Sequence, residues 1–100
     1  MRFVYEPALL EYMEKKKRDT ILVEMVEVSG SDIEISELHV QLADERQSRI
    51  FLEKKGYGLV KTEHGKVLLP RFPLQMEETV TFGLKKFLFF KYISYKGIKI

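Results

Sequence analysis

The chain has 100 residues, with 17 Lys and Arg against 15 Asp and Glu, and no cysteine. That length supports one domain around one core, and 45% hydrophobic content with seven Phe and five Tyr argues against disorder. The missing thiols exclude a disulfide framework, cysteine-ligated metals and clusters, and thiol redox chemistry.

Arg2–Tyr5 reads as a short strand, since Phe3 and Tyr5 are β-formers. Met1–Pro7 is too short and too polar for a signal peptide. Glu6-Pro7 opens a helix, because proline suits a first helical position whose N–H is unpaired anyway. Ala8, Leu9, Tyr12 and Met13 follow at helical spacing. Lys15-Lys16-Lys17-Arg18 closes the helix and complements the negative end of its dipole, which explains the basic run without a nuclear-address or phosphate role.

Thr20–Val28 is apolar on both parities and reads as a well-buried strand. Ser29-Gly30-Ser31-Asp32 is turn chemistry. Ile33–Leu42 continues as strand, and its apolar parity switches between Ile35 and Leu38, which predicts a bulge or a break at Ser36-Glu37. Ala43–Lys55 reads as a loop feeding a short strand at Arg49–Leu52, with a short helix as the other possibility. Gly56-Tyr57-Gly58 is a turn. Leu59–Lys61 and Lys66–Leu69 flank a hairpin tip at Thr62–Gly65. Pro70 and Pro73 bracket Arg71-Phe72 in an extended loop. Glu77–Leu84 alternates, with Val80, Phe82 and Leu84 on one face. Phe87–Tyr95 reads as an aromatic-rich strand buried on both faces, and Gly97 interrupts before Ile98-Lys99-Ile100.

The expected fold is therefore a single α+β, β-rich domain over residues 1–100. One N-terminal helix packs on an antiparallel small sandwich or partly closed barrel of about six to eight short strands. The longest apolar run, Phe87-Leu88-Phe89-Phe90, falls far short of the ~18 residues that span a membrane, so a cytoplasmic protein with no membrane partner is expected.

Net charge is +2, but unevenly spread. Residues 24–53 hold eight acids and two arginines, whereas 54–100 hold ten bases and three acids, none of them after Glu78. Two readings compete: acidic and basic strands pair within the fold, or the 54–100 half presents a basic face for nucleic acid or phosphate. Lysines interleaved with Phe87, Phe89, Phe90, Tyr92 and Tyr95 suit stacking beside phosphate contacts. Such aromatics are more often core, and a surplus on two faces also fits a dimer interface within 87–95.

No pattern for catalysis or metal binding emerges. His39 and His64 lie in no ligand spacing; the first reads as a surface strand residue and the second as part of a turn. Ser29-Gly30-Ser31 lacks the Gly-x-Ser-x-Gly context of a nucleophile. Gly56-Tyr57-Gly58 precedes a strand where a phosphate loop precedes a helix. Glu77-Glu78 and Asp44-Glu45 are sequence neighbours, which in a strand point to opposite faces. An enzyme would need His64, Arg71 and a carboxylate to converge in a deep pocket.

Several stretches together resemble the HesB-like family, the fold of A-type iron–sulfur carrier proteins, and most closely its short branch described by a cysteine–cysteine or selenocysteine motif. They are the strand Arg2–Tyr5 followed at once by the helix Glu6–Lys17, and Thr20–Val28 running into Ser29-Gly30-Ser31. His64-Gly65-Lys66-Val67-Leu68-Leu69-Pro70 and the closing stretches Val80–Leu84, Phe87–Lys91 and Tyr95-Lys96-Gly97 complete the set. The resemblance implies the fold. It also implies a cysteine in the turn where Ser29-Gly30-Ser31 stands, and in the longer carriers a cysteine pair near the C-terminus; neither is present. Serine is a poor ligand for soft iron–sulfur centres, so no cluster, cofactor, metal or site residue carries over. The expected role is non-enzymatic, through a protein partner or self-association at 87–95. The alternative is a small basic nucleic-acid-binding domain using residues 54–100.

Overall fold

Strand β1 (Arg2–Tyr5) leads directly into helix α1 (Pro7–Lys16), with Pro7 in the first turn as its missing N–H allows. The structure, a computed structural model, describes residues 1–29, 34–71 and 73–100. Three residues of the expected Ser29–Asp32 turn (Gly30, Ser31 and Asp32), with Ile33 and Phe72, lie outside the described residues. Leu9 and Met13, one turn apart, are the buried side of α1. Lys17 ends it in the left-handed conformation, where its N–H donates to the Glu14 carbonyl and the Arg18 N–H donates to that of Met13.

The remaining elements are β2 (Thr20–Ser29), β3 (Glu34–Ala43), α2 (Glu45–Glu53), β4 (Gly58–Lys61), β5 (Lys66–Leu69), β6 (Gln75–Phe87) and β7 (Phe90–Lys99). They form two sheets, one ordered β1-β6-β7 and the other β3-β2-β5-β4. The fold is α+β and β-rich, as expected, with α1 packed on β6 and no closed barrel among the described residues. Pairing is mixed. The hairpins β2–β3, β4–β5 and β6–β7 are antiparallel, whereas β1–β6 and β2–β5 are parallel. The parallel pairs arise because α1 carries the chain from one sheet to the other and because β3, α2 and β4 intervene between β2 and β5.

The main core lies between the sheets and under α1. It joins Tyr5, Leu9 and Met13 to Ile21, Val23 and Val67 of one sheet and to Val80, Phe82, Ile93 and Ile98 of the other. A second cluster lies across the four-stranded sheet, where Leu22 and Leu68 pack with Ala43, Phe51 and Tyr57. Strand β2 therefore buries both parities, because each of its faces is covered.

Three local readings are corrected. Ala43–Lys55 does not feed a strand; it forms α2. Asp44 caps that helix in a reciprocal box: the Gln47 N–H donates to Asp44 Oδ1 at 2.8 Å and the Asp44 N–H donates to Gln47 Oε1 at 3.3 Å. The consecutive apolar residues Ile50-Phe51-Leu52 imitate a strand, yet only Phe51 is buried. The bulge or break expected at Ser36-Glu37 is absent, since β2 and β3 pair without a register shift from Thr20↔Ala43 to Ser29↔Glu34. The irregularity falls in β6 instead, between Met76 and Thr81. Gly97 does not interrupt its strand. It sits opposite that irregularity at φ +89°, where a Cβ would meet the Thr79 carbonyl oxygen, and β7 runs on to Lys99.

Tyr5 ties the sheets together. Its ring packs edge-on to Phe82 at 6.0 Å and its hydroxyl shares a 2.8 Å hydrogen bond with Thr62 Oγ1. Burial pushes the Tyr5 phenol above its ordinary value of 10.0, the Thr62 hydrogen bond opposes this, and the Asp19 carboxylate adds to it. The folded protein thus holds this proton more tightly than the unfolded chain. The resulting stability is complete below the unfolded value and is lost as pH rises through the folded one. Tyr5→Phe should cost about 1 kcal/mol near neutrality through the lost hydrogen bond. That gap should shrink above pH 10.0, as urea denaturation of both proteins at neutral and alkaline pH would show.

Candidate functional site

Two grooves lie beside the C-terminal end of α1. A groove of about 410 Å³ lies between the C-terminal end of α1 and the start of α2, lined by Arg18, Asp19, Asp44, Glu45 and Lys66 among others. A wider one beside it holds His64 with Glu14, Arg18 and Asp19. Arg71 lines neither; its side chain lies against Gly56. The convergence of His64, Arg71 and a carboxylate that an enzyme reading needs is therefore not formed. His64 rests its ring edge-on to Tyr5 at 5.3 Å, and His39 is an exposed strand residue whose Nε2 lies 3.2 Å from Glu37 Oε2. Among the described residues no three His, Cys, Asp or Glu side chains gather as a metal site would require.

The convex surface differs. Cross-strand pairing in β6–β7 continues beyond the core: Leu84↔Ile93, Lys85↔Tyr92, Lys86↔Lys91 and finally Phe87↔Phe90. Ile93 is the last buried residue toward the tip, and every residue from Lys85 to Tyr92 is exposed. Leu88 and Phe89 form the two-residue turn. Phe87 is 67% exposed, Leu88 69%, Phe89 95% and Phe90 72%. The reading of Phe87–Tyr95 as one strand buried on both faces is thus overturned. The chain reverses at its middle, and these aromatics form the apex of a protruding hairpin.

Leu88 adopts φ +55°. A two-residue hairpin turn demands positive φ at its first central position, a place that glycine or asparagine fills without strain. Leucine there costs roughly 1–2 kcal/mol. Taking about 200 Å² for a fully exposed phenylalanine, the four apex side chains leave on the order of 500 Å² of apolar surface in water. That matches the largest patch on an ordinary monomer, ~300–600 Å², which is often functional.

Lysines collar the apex. Lys86 stands directly opposite Lys91, a like-charge pair that destabilises a hairpin in isolation. Lys91 Nζ lies 5.7 Å from the centroid of the Tyr12 ring, which Lys16 Nζ approaches to 5.6 Å. Tyr12, Lys91, Tyr92 and Ile93 line a groove of about 350 Å³ between α1, β3 and β7, at the base of the hairpin. Pairing of acidic 24–53 with basic 54–100 is not seen as ion pairs. Among the described residues the ion pairs are His39–Glu37 and Arg49–Glu45, each within its own element. The hairpin lysines join none of them.

Sequence reasoning singled out residues 87–95 as a candidate interface but gave the segment the wrong shape. The signal that marks the tip is the charge frame, Lys85-Lys86 before the apolar run and Lys91 directly after it. A strand buried on both faces would leave those ammonium groups without water. Comparison with protein-family models, with curated proteins and with solved structures found no match.

Replacing Leu88 with glycine should relieve the left-handed backbone. Leu88→Gly is expected to raise stability by about 1 kcal/mol, read from the urea midpoint. A lower midpoint would show that Leu88 supports the fold through contacts.

Proposed function

We propose that this protein is a non-enzymatic docking domain whose binding element is the tip of the β6–β7 hairpin. The observation that carries the reading is the combination at residues 85–92 of a strained apolar apex in water and a lysine collar. Each works against the stability of the isolated domain, and both become favourable when a surface covers the apex and supplies negative charge. The protein partner or second copy expected at 87–95 is one form of this reading. The HesB-like resemblance is in keeping with it, because a chain of that family without cysteine holds no iron–sulfur cluster and is left with its surface.

The double variant Phe89→Asp/Phe90→Asp tests it. Both side chains are exposed, so folding should be unaffected, as circular dichroism would confirm. In gently lysed cells the wild type should sediment in an assembled or particulate fraction, and the variant as free 11.8 kDa protein. A wild type that sediments as free monomer beside the variant contradicts the proposal.

Nucleic acid is a second reading, favoured by exposed Phe87, Phe90 and Tyr92 beside Lys85 and Lys91. It calls for single-stranded oligonucleotide binding that weakens steeply with salt. Fluorescence anisotropy showing no binding at low salt removes it.

A further inference from the structure

We propose that the surface on which this hairpin docks is an anionic lipid bilayer, with the apex inserted among the acyl chains and the lysines on the headgroups. The inference rests on the docking reading and names its partner.

Three observations select a bilayer. The first is shape. Phe87 and Phe90 pair on one face of the hairpin, while Leu88 and Phe89 cap its end. A bilayer wets such a protrusion from every side, whereas a folded protein would need a pocket deep enough to enclose it. The second is depth. Leu88 lies three positions from Lys85 and Phe89 three from Tyr92, roughly 10 Å of extended strand. That agrees with the ~5–10 Å to which interfacial elements penetrate. It would leave Tyr92 and the three lysines level with the headgroups, where amphipathic rings and ammonium groups are stable. The third is charge. Lys85, Lys86 and Lys91 flank the apex, and no acid follows Glu78 in the sequence.

The same facts weigh against a tip-to-tip dimer. A two-fold contact would bring three lysines of each copy together. The apex also supplies on the order of 500 Å² by the side-chain areas above, short of the ~800 Å² per partner of a standard interface. The absence of a membrane-crossing helix among the described residues does not bear on the matter, because a hairpin apex that enters one leaflet spans nothing. The sequence expectation of no membrane partner rested on the length needed to cross, and an inserted tip is free of that requirement.

The chain has no tryptophan, so Phe89→Trp gives a single reporter at the apex. Purified wild type and Phe89→Trp would be floated with phosphatidylcholine vesicles with and without about one-third phosphatidylserine, the anionic lipid of charged leaflets. The expected result is flotation with the anionic vesicles, with a blue shift of the Phe89→Trp emission and its quenching by brominated acyl chains. Neutralising the collar as Lys85→Gln/Lys86→Gln/Lys91→Gln should weaken binding about a hundred-fold, taking about five-fold per lysine. Phe89→Asp/Phe90→Asp should abolish the insertion signal.

No flotation at low salt overturns the lipid inference. If the wild type nevertheless sediments as a tip-dependent assembly from cells, the docking reading stands with a protein as partner. If it does not, both fail. Flotation without a shift in the Phe89→Trp emission also overturns the inference, since it shows adsorption by surface charge alone. A purified wild type of twice the monomer mass, returned to monomer by the aspartate variant, overturns it in favour of self-association.

Discussion

Burial in the three-stranded sheet ends at Leu84 and Ile93, but the β6–β7 ladder does not. That mismatch governs the molecule. Within the core, β6 is held on both sides, parallel to β1 and antiparallel to β7. It contributes Val80 and Phe82, both wholly buried, to the interface between the sheets. The same strand is 13 residues long and continues past the region that the second sheet and α1 can cover. Backbone pairing carries the hairpin outward, and side chains beyond the core meet water whatever their polarity. Apolar residues in that overhang are a cost to the free protein.

Much of the architecture was legible in the sequence because the physics is local. Pro7 marks where α1 begins, and Leu9 and Met13 mark its buried stripe. Thr20–Val28, apolar on both parities, is a strand covered on both faces, which a sheet packed on one side by α2 and on the other by a second sheet provides. Val80 and Phe82 alternate with polar neighbours as a half-buried strand should. What the sequence did not disclose depended on partners far along the chain. The parallel pairing of β1 with β6 joins residues nearly eighty positions apart, and no turn signal announces it. The regular β2–β3 register shows that a change of apolar parity within one strand does not by itself make a bulge.

The hairpin tip was misread for a different reason. Leu88 and Phe89 are poor turn formers by composition, and four consecutive apolar residues ordinarily lie inside a protein. Both cues point inward. Only the lysines on each side point outward, and ammonium groups are the more decisive evidence, because leaving them unpaired in a core costs more than leaving phenylalanine in water. Likewise α2 was concealed by Ile50 and Leu52, whose partial exposure blurs its apolar stripe, although the Asp44–Gln47 box was present to be read.

The chain's chemistry is set by what it holds as much as by where it holds it. The chain has no thiolate, its two histidines are engaged separately by Glu37 and the Tyr5 ring, and among the described residues no three His, Cys, Asp or Glu side chains gather as a metal site would require. The departure from an ordinary soluble surface is the apex. The most direct measurement of that claim is solvent access to the Leu88 methyl groups, read by broadening of their NMR signals with a water-soluble nitroxide in dilute protein. They should broaden as strongly as those of exposed Leu59, while Leu9 and Leu68 remain sharp. Leu88 methyls as protected as those of Leu9 in the monomer would show that the tip packs against the domain, and would contradict the account.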